Sequence, residues 1–387
     1  MTRREVHISR AITALFCAAL LISEPSWSLY TLKSVKTIRR QSPPFCGGAG
    51  AVSLGGRIPD AWRLVSTPPA LVNCAAHGFT SRGLPRPLLI DAFPLSYETN
   101  VLLLRLLEIG DTVDAFVIIE SDTTHSGVPR NLTFPELAPC LGRWRNKIFH
   151  SVLRAAKLPV EFHALSPHER AWAIENLQRN SLAEAAALAA SSLKSSGRVI
   201  RNADVFVAVS DLDEIPRPEA YAAAVSCEGY REPAALTLDS FFYYDFRWRK
   251  QKPWHLGPRI FKLNETSGKF IGRFVPHDAR NVDAVPPSSE HVFIRGGWHA
   301  SYFLGTEGIS RKIKSVAPHF TDAEIIHFSD LSWIEEKIDE GRDLFDRGPQ
   351  EAVEAINCSD TNADIPLAAK QNSGTLKLFC PTSNRII

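Results

Sequence analysis

An excess of charge of either sign is missing from this 387-residue sequence: 44 basic residues stand against 42 acidic ones, leaving a net +2. That balance argues against bulk attraction to nucleic acid, which needs a concentrated basic face, and leaves room for a local anion site. Closely spaced cysteines are missing too. Seven cysteines occur, but no two have the C-x-x-C spacing of a structural zinc or redox site. Apolar length is short near the start. Ala11 to Ile22 is interrupted only by Thr13 and follows three arginines, yet twelve residues rise about 18 Å as a helix, against a hydrocarbon core of ~30 Å.

What is present is the composition of a globular protein, 44% hydrophobic and 22% charged, long enough for one large domain or two. The basic start and apolar run read as a targeting segment over residues 1–29. A cleaved signal peptide, with Ser26-Trp27-Ser28 at cleavage spacing, is physically the easier reading. An uncleaved anchor needs the helix to run on towards Leu29-Tyr30. Either way the rest faces a lumen or the exterior, through the secretory pathway. Cys46, Cys74, Cys140, Cys227, Cys358 and Cys380 permit up to three disulfides, in fifteen connectivities, or stay as buried thiols. Three sequons, at Asn131, Asn264 and Asn357, agree with secretory entry. Residues 30–83, rich in Pro-Pro and Gly-Gly pairs, read as a stem or linker. Residues 84–350 form the folded domain and 351–387 a tail without catalytic signal.

The domain is organised around Val205-Phe-Val-Ala-Val-Ser-Asp-Leu-Asp-Glu-Ile-Pro216. Five apolar residues predict a strand buried on both faces, as in a parallel sheet, and ligands gather beyond the carboxyl ends of such strands. Asp211 and Asp213 follow at once. An Asp-x-Asp triplet alone is commonly a solvated turn or helix cap, but here it follows a strand, and Pro216 keeps Ile215 out of the helical region. In an extended backbone both carboxylates point one way and reach one hard cation, which neutralises a diphosphate.

Upstream, Pro87–Phe93 predicts a first strand, Glu98–Ile109 a helix with Val101, Leu102, Arg105, Leu106 and Ile109 on one face, and Val113–Glu120 a second strand. Strand, helix and strand make a βαβ unit with parallel strands, whose carboxyl rim holds Asp91 and Glu120. Ser121 to Pro139 reads as a loop over the site. Trp172 to Leu193, rich in Ala and Leu with Glu175 and Arg179 interspersed, predicts a long helix feeding the organising strand.

Downstream, Ala234–Trp248 and Trp254-His255 are dense in aromatics, either as core or as a sugar platform. Gly296-Gly297 permit close backbone approach before Trp298-His299. His299 is either a structural histidine or a third ligand to a cation held by carboxylates. Glu307 to Lys314 begins with an acid and carries three cations, suiting a helix beside a diphosphate or a solvated basic face.

Taken together, Asp91-Ala-Phe-Pro with Glu98 and Arg105, Val113-Asp114 through Ser121, Ser210-Asp-Leu-Asp-Glu-Ile-Pro216, and Gly297-Trp-His299 with Glu307-Gly-Ile309 resemble glycosyltransferase family 17 over residues 84–347. The family often has cysteine after Gly-Trp-His, where this chain has Ala300. The resemblance implies an α/β fold of the GT-A type, a nucleotide-sugar-binding domain with a mostly parallel central sheet. It implies a divalent cation, Mn²⁺ or else Mg²⁺, and UDP-GlcNAc as donor, with GlcNAc passing in β-1,4 linkage to a mannose of a protein N-glycan. Position by position it implies Asp211, Asp213 and His299 at the metal, Asp91, Glu98, Arg105, Glu120 and Lys312 at the donor, and Glu214 and Trp298 shaping the loop. The implied compartment is the Golgi, with membrane contact only through an uncleaved leading segment.

Inverting transfer needs a carboxylate to take the acceptor proton; Glu307 leads, being just past Gly-Trp-His, with Asp245 behind it. The rivals are a transferase for another nucleotide sugar or acceptor, and a secreted glycan-binding protein on the same scaffold without turnover. A glycoside hydrolase would need two carboxyls straddling a sugar bond, and no hydrolase motif is present.

Overall fold

The computed structural model describes residues 72–371 and 379–380, apart from 84, 159, 231–232, 252–256, 272–291 and 316–319. The targeting segment with Cys17, most of the stem with Cys46, and Trp254-His255 lie outside the described residues.

Strands run in the order β1 (Thr80–Ser81), β2 (Leu88–Pro94), β3 (Ala115–Ser121), β4 (Ile148–Leu153), β5 (Val205–Val209), β6 (Glu214–Pro216), β7 (Cys227–Glu228), β8 (Ala234–Tyr243), β9 (Trp248–Lys250), β10 (Arg259–Asn264), β11 (Lys269–Phe270), β12 (Val292–Ser301) and β13 (Val353–Ala355). The helices are α1 (Thr99–Ile109), α2 (Thr133–Leu137), α3 (Pro167–Ser195), α4 (Pro218–Ser226), α5 (Gly305–Ser315), α6 (Asp322–Phe328), α7 (Leu331–Glu340) and α8 (Leu367–Gln371).

One sheet dominates, in the order β13-β9-β8-β10-β5-β2-β3-β4. Its half β5-β2-β3-β4 is parallel, as the βαβ reading predicts. The other half is not: β10 runs antiparallel to β5 and β8, and β9 antiparallel to β8 and β13, while β12 pairs parallel with β8 and antiparallel with β6. The sheet is therefore mixed and not mostly parallel. The aromatic stretch after the acids does not return through helices; a short turn at Tyr244–Arg247 folds β8 straight onto β9, and short turns make antiparallel neighbours.

Both faces of β5, β2 and β3 are buried, which explains their unbroken apolar runs. Leu88, Ile90 and Ala92 of β2, Val117 and Ile119 of β3, and Val205, Val207 and Val209 of β5 pack on Leu182, Ala186, Ala189, Ala190 and Leu193 of α3. The intervening Leu89, Phe93, Phe116, Ile118, Phe206 and Ala208 face α1 and α4. The alanines let α3 lie close to the sheet, and a capping box at Ser166 and Glu169 starts it. Gly110 ends α1 with an ordinary right-handed backbone; its role is room, since a Cβ there would lie 2.6 Å from the Trp144 indole nitrogen.

The tail is part of the fold. β13 adds an edge strand, Phe379 packs on Phe246 and Phe303, and Cys358–Cys380 closes the segment. A second disulfide joins Cys74 to Cys227, and Cys140 is also disulfide-bonded. Asn131, Asn264 and Asn357 are all exposed. Among the described residues no helix is long and apolar enough to cross a membrane.

Candidate active site

The carboxyl ends of β2, β3 and β5 share one rim, and the chain leaving β5 turns there. The segment is not extended as its sequence suggests: the Glu214 N–H returns to the Asp211 carbonyl at 3.2 Å, closing a tight turn with Leu212 in the core. Asp211 and Asp213 consequently point different ways. Asp211 accepts from Arg179 of α3 at 3.1 Å, and that guanidinium also pairs with Glu175 one helical turn earlier. Asp213 faces α5 and β12 instead.

One arginine sets this turn. Arg105, on the inward face of α1, is wholly buried and pairs bidentately with Asp91 of β2, both contacts 2.7 Å. Its remaining N–H groups reach the carbonyls of Asp211, Leu212 and Glu214 at 2.9, 3.1 and 2.7 Å, and the Ser210 hydroxyl at 2.6 Å. The Tyr221 hydroxyl donates to Asp91 as well, at 2.7 Å. The cost of burying the guanidinium is offset by a carboxylate and a full set of acceptors. Arg105 and Asp91, expected at the donor, thus lie beneath the turn with their polar atoms committed to it. Glu214 completes the loop from inside by accepting the Asp211 N–H at 2.9 Å. Burial first, and the neighbouring Asp213 charge second, push its carboxyl up to about 8.

Asp213 ends up in a charged corner. Lys312 Nζ of α5 lies 3.4 Å from its Oδ2 and 2.8 Å from Glu98 Oε1; His299 Nε2 of β12 lies 3.7 Å from its Oδ1. Burial alone would raise the Asp213 pKa, but the Lys312 ammonium and the imidazole hold it below the usual carboxylate range. Burial works against the Lys312 charge, yet Glu98 and Asp213 together keep its pKa above the ordinary lysine value. His299 is fixed by stacking on Phe241, rings parallel within 6° and 4.3 Å apart. β12 reaches this corner because Gly297 lies against β6: a Cβ there would meet the Ile215 carbonyl at 2.3 Å. The register Trp298 to Ile215 and His299 to Glu214 follows from that approach. The Trp298 indole itself is buried and donates to the Asp364 carbonyl at 3.1 Å.

A cleft of about 450 Å³ opens along the face of α5 that carries Glu307, Ser310, Arg311 and Lys314, with Tyr97 and Thr124 opposite; Asp213, His299 and Lys312 do not line it. Glu307, in the first turn of α5, is exposed there. Arg130 and Arg311 lie over the Tyr97 ring, at 4.5 and 5.5 Å. The other two carboxylates expected near the chemistry are committed elsewhere. Asp245 sits in the β8–β9 turn, 3% exposed, and accepts from the Arg247 guanidinium on both oxygens. Glu120 is wholly buried: it takes the N–H groups of Thr133 and Phe134 at the start of α2, Arg130 at 2.9 Å and His150 at 3.0 Å, tying down the loop over the cleft.

Three neighbours of the corner and cleft, Arg179, Tyr97 and Asp364, lie outside the sequence motifs. Arg179 carried a usable signal, the Glu175–Arg179 spacing of an i,i+4 pair on a helix leading to the acids. Tyr97 and Asp364 carried none, because loop and tail contacts have no periodicity.

A sequence model described as glycosyltransferase family 17 matches residues 67–356. Among curated proteins, the chain is 28% identical over 250 residues to the β-1,4-mannosyl-glycoprotein 4-β-N-acetylglucosaminyltransferase of Rattus norvegicus, covering 60% of this chain and 43% of that one. The Homo sapiens protein of the same name is likewise 28% identical over 250 residues, covering 60% of this chain and 44% of the relative. The chain thus spans under half the length of the curated relatives it matches.

Proposed function

We propose, for a chain that belongs to glycosyltransferase family 17, that it transfers N-acetylglucosamine from UDP-GlcNAc to a mannose hydroxyl of a protein N-glycan, with inversion and with a divalent cation. The observation that carries the reading is the corner itself: Arg105 fixes the acid turn so that Asp213, His299 and Lys312 converge past the carboxyl rim of parallel strands, at the helix whose other face lines the cleft. A parallel half-sheet with acids just past β5 also supports a GT-A type arrangement.

The donor set fits a shared cation. A carboxylate oxygen and an imidazole nitrogen 3.7 Å apart are ligand types that Mn²⁺ accepts, and such cations commonly take one or two protein groups plus substrate phosphates. Among the described residues no group of three or more His, Cys, Asp or Glu side chains is arranged to hold a metal, so the remaining positions of a cation here would have to be filled by diphosphate oxygens and water. Asp213 and His299 would hold the ion; when bound it supplies charge neutralisation to the departing diphosphate. Asp211, in the grip of Arg179, stays outside this set and shapes the turn.

The chain's own groups do the rest. Arg311 and Lys314 present cations to the donor phosphates in the cleft, and Lys312 adds a third beside Asp213. Glu307 is the exposed carboxylate of the cleft and takes the acceptor proton. As the acceptor oxygen bonds to the sugar C1, the bond from C1 to the phosphate oxygen breaks and UDP leaves with the electron pair. Disulfides at Cys74–Cys227 and Cys358–Cys380 support an oxidising, secretory compartment, and we place the enzyme in the Golgi lumen.

The test is UDP release by the purified full chain with UDP-GlcNAc, MnCl₂ and a mixed N-glycan pool, with and without a chelator. The expected result is chelator-sensitive release with one HexNAc gained on glycan, abolished in a folded Asp213→Ala variant. Release only with a different UDP-sugar would replace the donor. No release with any UDP-sugar from folded protein would leave a glycan-binding protein.

A further inference from the structure

Residues 357–371, beyond the family match, are built into the elements that frame the acid turn, through hydrogen bonds to Arg217, Ser240, Trp298 and Glu108. The Asp364 carboxylate accepts from Arg217 at 2.6 Å and from the Ser240 hydroxyl at 3.1 Å, and lies 3.3 Å from the Trp298 indole nitrogen. The Asp364 carbonyl accepts the same indole N–H at 3.1 Å. Leu367 and Ala368, opening α8, donate their N–H groups to Glu108 of α1 at 3.2 and 2.7 Å. Cys358–Cys380 ties the segment to itself.

Each anchor sits one step from the corner. Arg217 follows Ile215-Pro216 directly, stacks on the Trp298 ring at 4.0 Å and donates its backbone N–H to the Gly296 carbonyl at 2.8 Å. Trp298 precedes His299, and Glu108 lies one helical turn beyond Arg105. The indole is therefore held at its edge by Asp364 and on its face by Arg217, which leaves little freedom for the backbone carrying His299.

We propose that Asp364 is a positioning residue for the transfer: through Trp298 and Arg217 it sets the separation of His299 from Asp213, so that the tail segment fixes the affinity of the site for a nucleoside diphosphate with its cation. The inference rests on the transferase reading for its ligand, not for its geometry.

The experiment compares the full chain with Asp364→Ala, Asp364→Asn and Trp298→Phe by titration calorimetry with UDP and MnCl₂, by UDP-GlcNAc turnover, and by hydrogen exchange. Asp364→Ala is expected to weaken UDP binding about tenfold, the scale of one lost charge-assisted hydrogen bond. Turnover falls with it, and exchange rises at the amides of residues 298–301 but not in β2 and β3. Asp364→Asn keeps one acceptor oxygen for the indole and Arg217 and turns its NH2 to the Ser240 hydroxyl, which can accept in place of donating, so it recovers part of the affinity. Wild-type UDP affinity and unchanged local exchange in Asp364→Ala would overturn the proposal. If wild-type protein bound no UDP, the transferase reading would fail alone, and exchange at residues 298–301 would still decide the role of Asp364. Should Asp364→Ala not fold, Trp298→Phe removes the indole N–H and one of the two fused rings while keeping an aromatic face for Arg217; a loss in the same direction supports the proposal, and unchanged affinity and exchange overturn it.

Discussion

Arg105 carries more of the site than any residue that faces solvent. A charge with no exposed surface is tolerated only while every partner stays in place. Arg105→Met would leave Asp91 buried with only the Tyr221 hydroxyl of its present side-chain partners, and would take the guanidinium donor from three carbonyls of the acid turn, of which the Asp211 carbonyl keeps the Glu214 N–H. A loss of roughly 3–5 kcal/mol in urea unfolding is expected. Arg105→Lys keeps the charge but not the fork, so it should recover part of the stability while UDP binding stays weak. Equal stability in Arg105→Met and wild type would show that the turn holds without it. The burial of this residue was legible: it falls on the same three-to-four spacing as Val101, Leu102, Leu106 and Ile109. Its partners were not, because nothing local says that an inward arginine will meet a strand aspartate and a loop more than a hundred residues later. The different aims of Asp211 and Asp213 were hidden for a related reason. A two-residue period holds only in extended chain, and the Arg105 contacts and the Glu214 side chain hold this segment in a turn.

At the scale of elements, sequence was most readable where burial is total. β2, α1, β3, α3 and β5 announce themselves by apolar runs or an apolar stripe, since both faces of β2, β3 and β5 are covered. β4 is a half-buried edge with polar residues interspersed, and it does not stand out. α8 is five residues long and depends on a contact from α1. Burial first, together with the Glu219 charge, pushes the Glu108 carboxyl up to about 7, although the Leu367 and Ala368 amides pull the other way. The sign of the pH effect follows. In the unfolded chain Glu108 loses its proton near 4.5, whereas the folded protein keeps it to about 7. Its contribution to stability is thus fully present below the lower value and is lost as pH rises through the higher one, about 3 kcal/mol in all and most of it between pH 5 and pH 8. Glu108→Gln cannot titrate. The difference in unfolding free energy between pH 5 and pH 8 should therefore be smaller in the variant than in wild type by most of that amount. Identical pH slopes would mean that Glu108 is ionised in the fold.

The whole molecule is held by cross-links of very different span, and their effects on stability and on the site should part company. Cys74–Cys227 joins residues 153 apart and anchors the β1–β7 ribbon, where Arg82 also donates to the Cys227 carbonyl at 3.0 Å. Cys358–Cys380 joins residues only 22 apart. If cross-links act by restricting the unfolded chain, the first has a ceiling of about 5 kcal/mol and the second of about 3. The first, however, sits at the far end of α4 from the acid turn, whereas the second closes the segment that carries Asp364. Cys74→Ser should therefore lower the melting temperature more, by about 4–10 °C, while leaving UDP affinity of the folded protein unchanged at low temperature. Cys358→Ser should cost less in melting temperature and more in UDP affinity. Melting curves and UDP titrations on the two variants decide the matter: if the larger loss of stability and the larger loss of affinity fall on the same variant, cross-linking acts on the molecule as a whole, and the tail has no separate hold on the site.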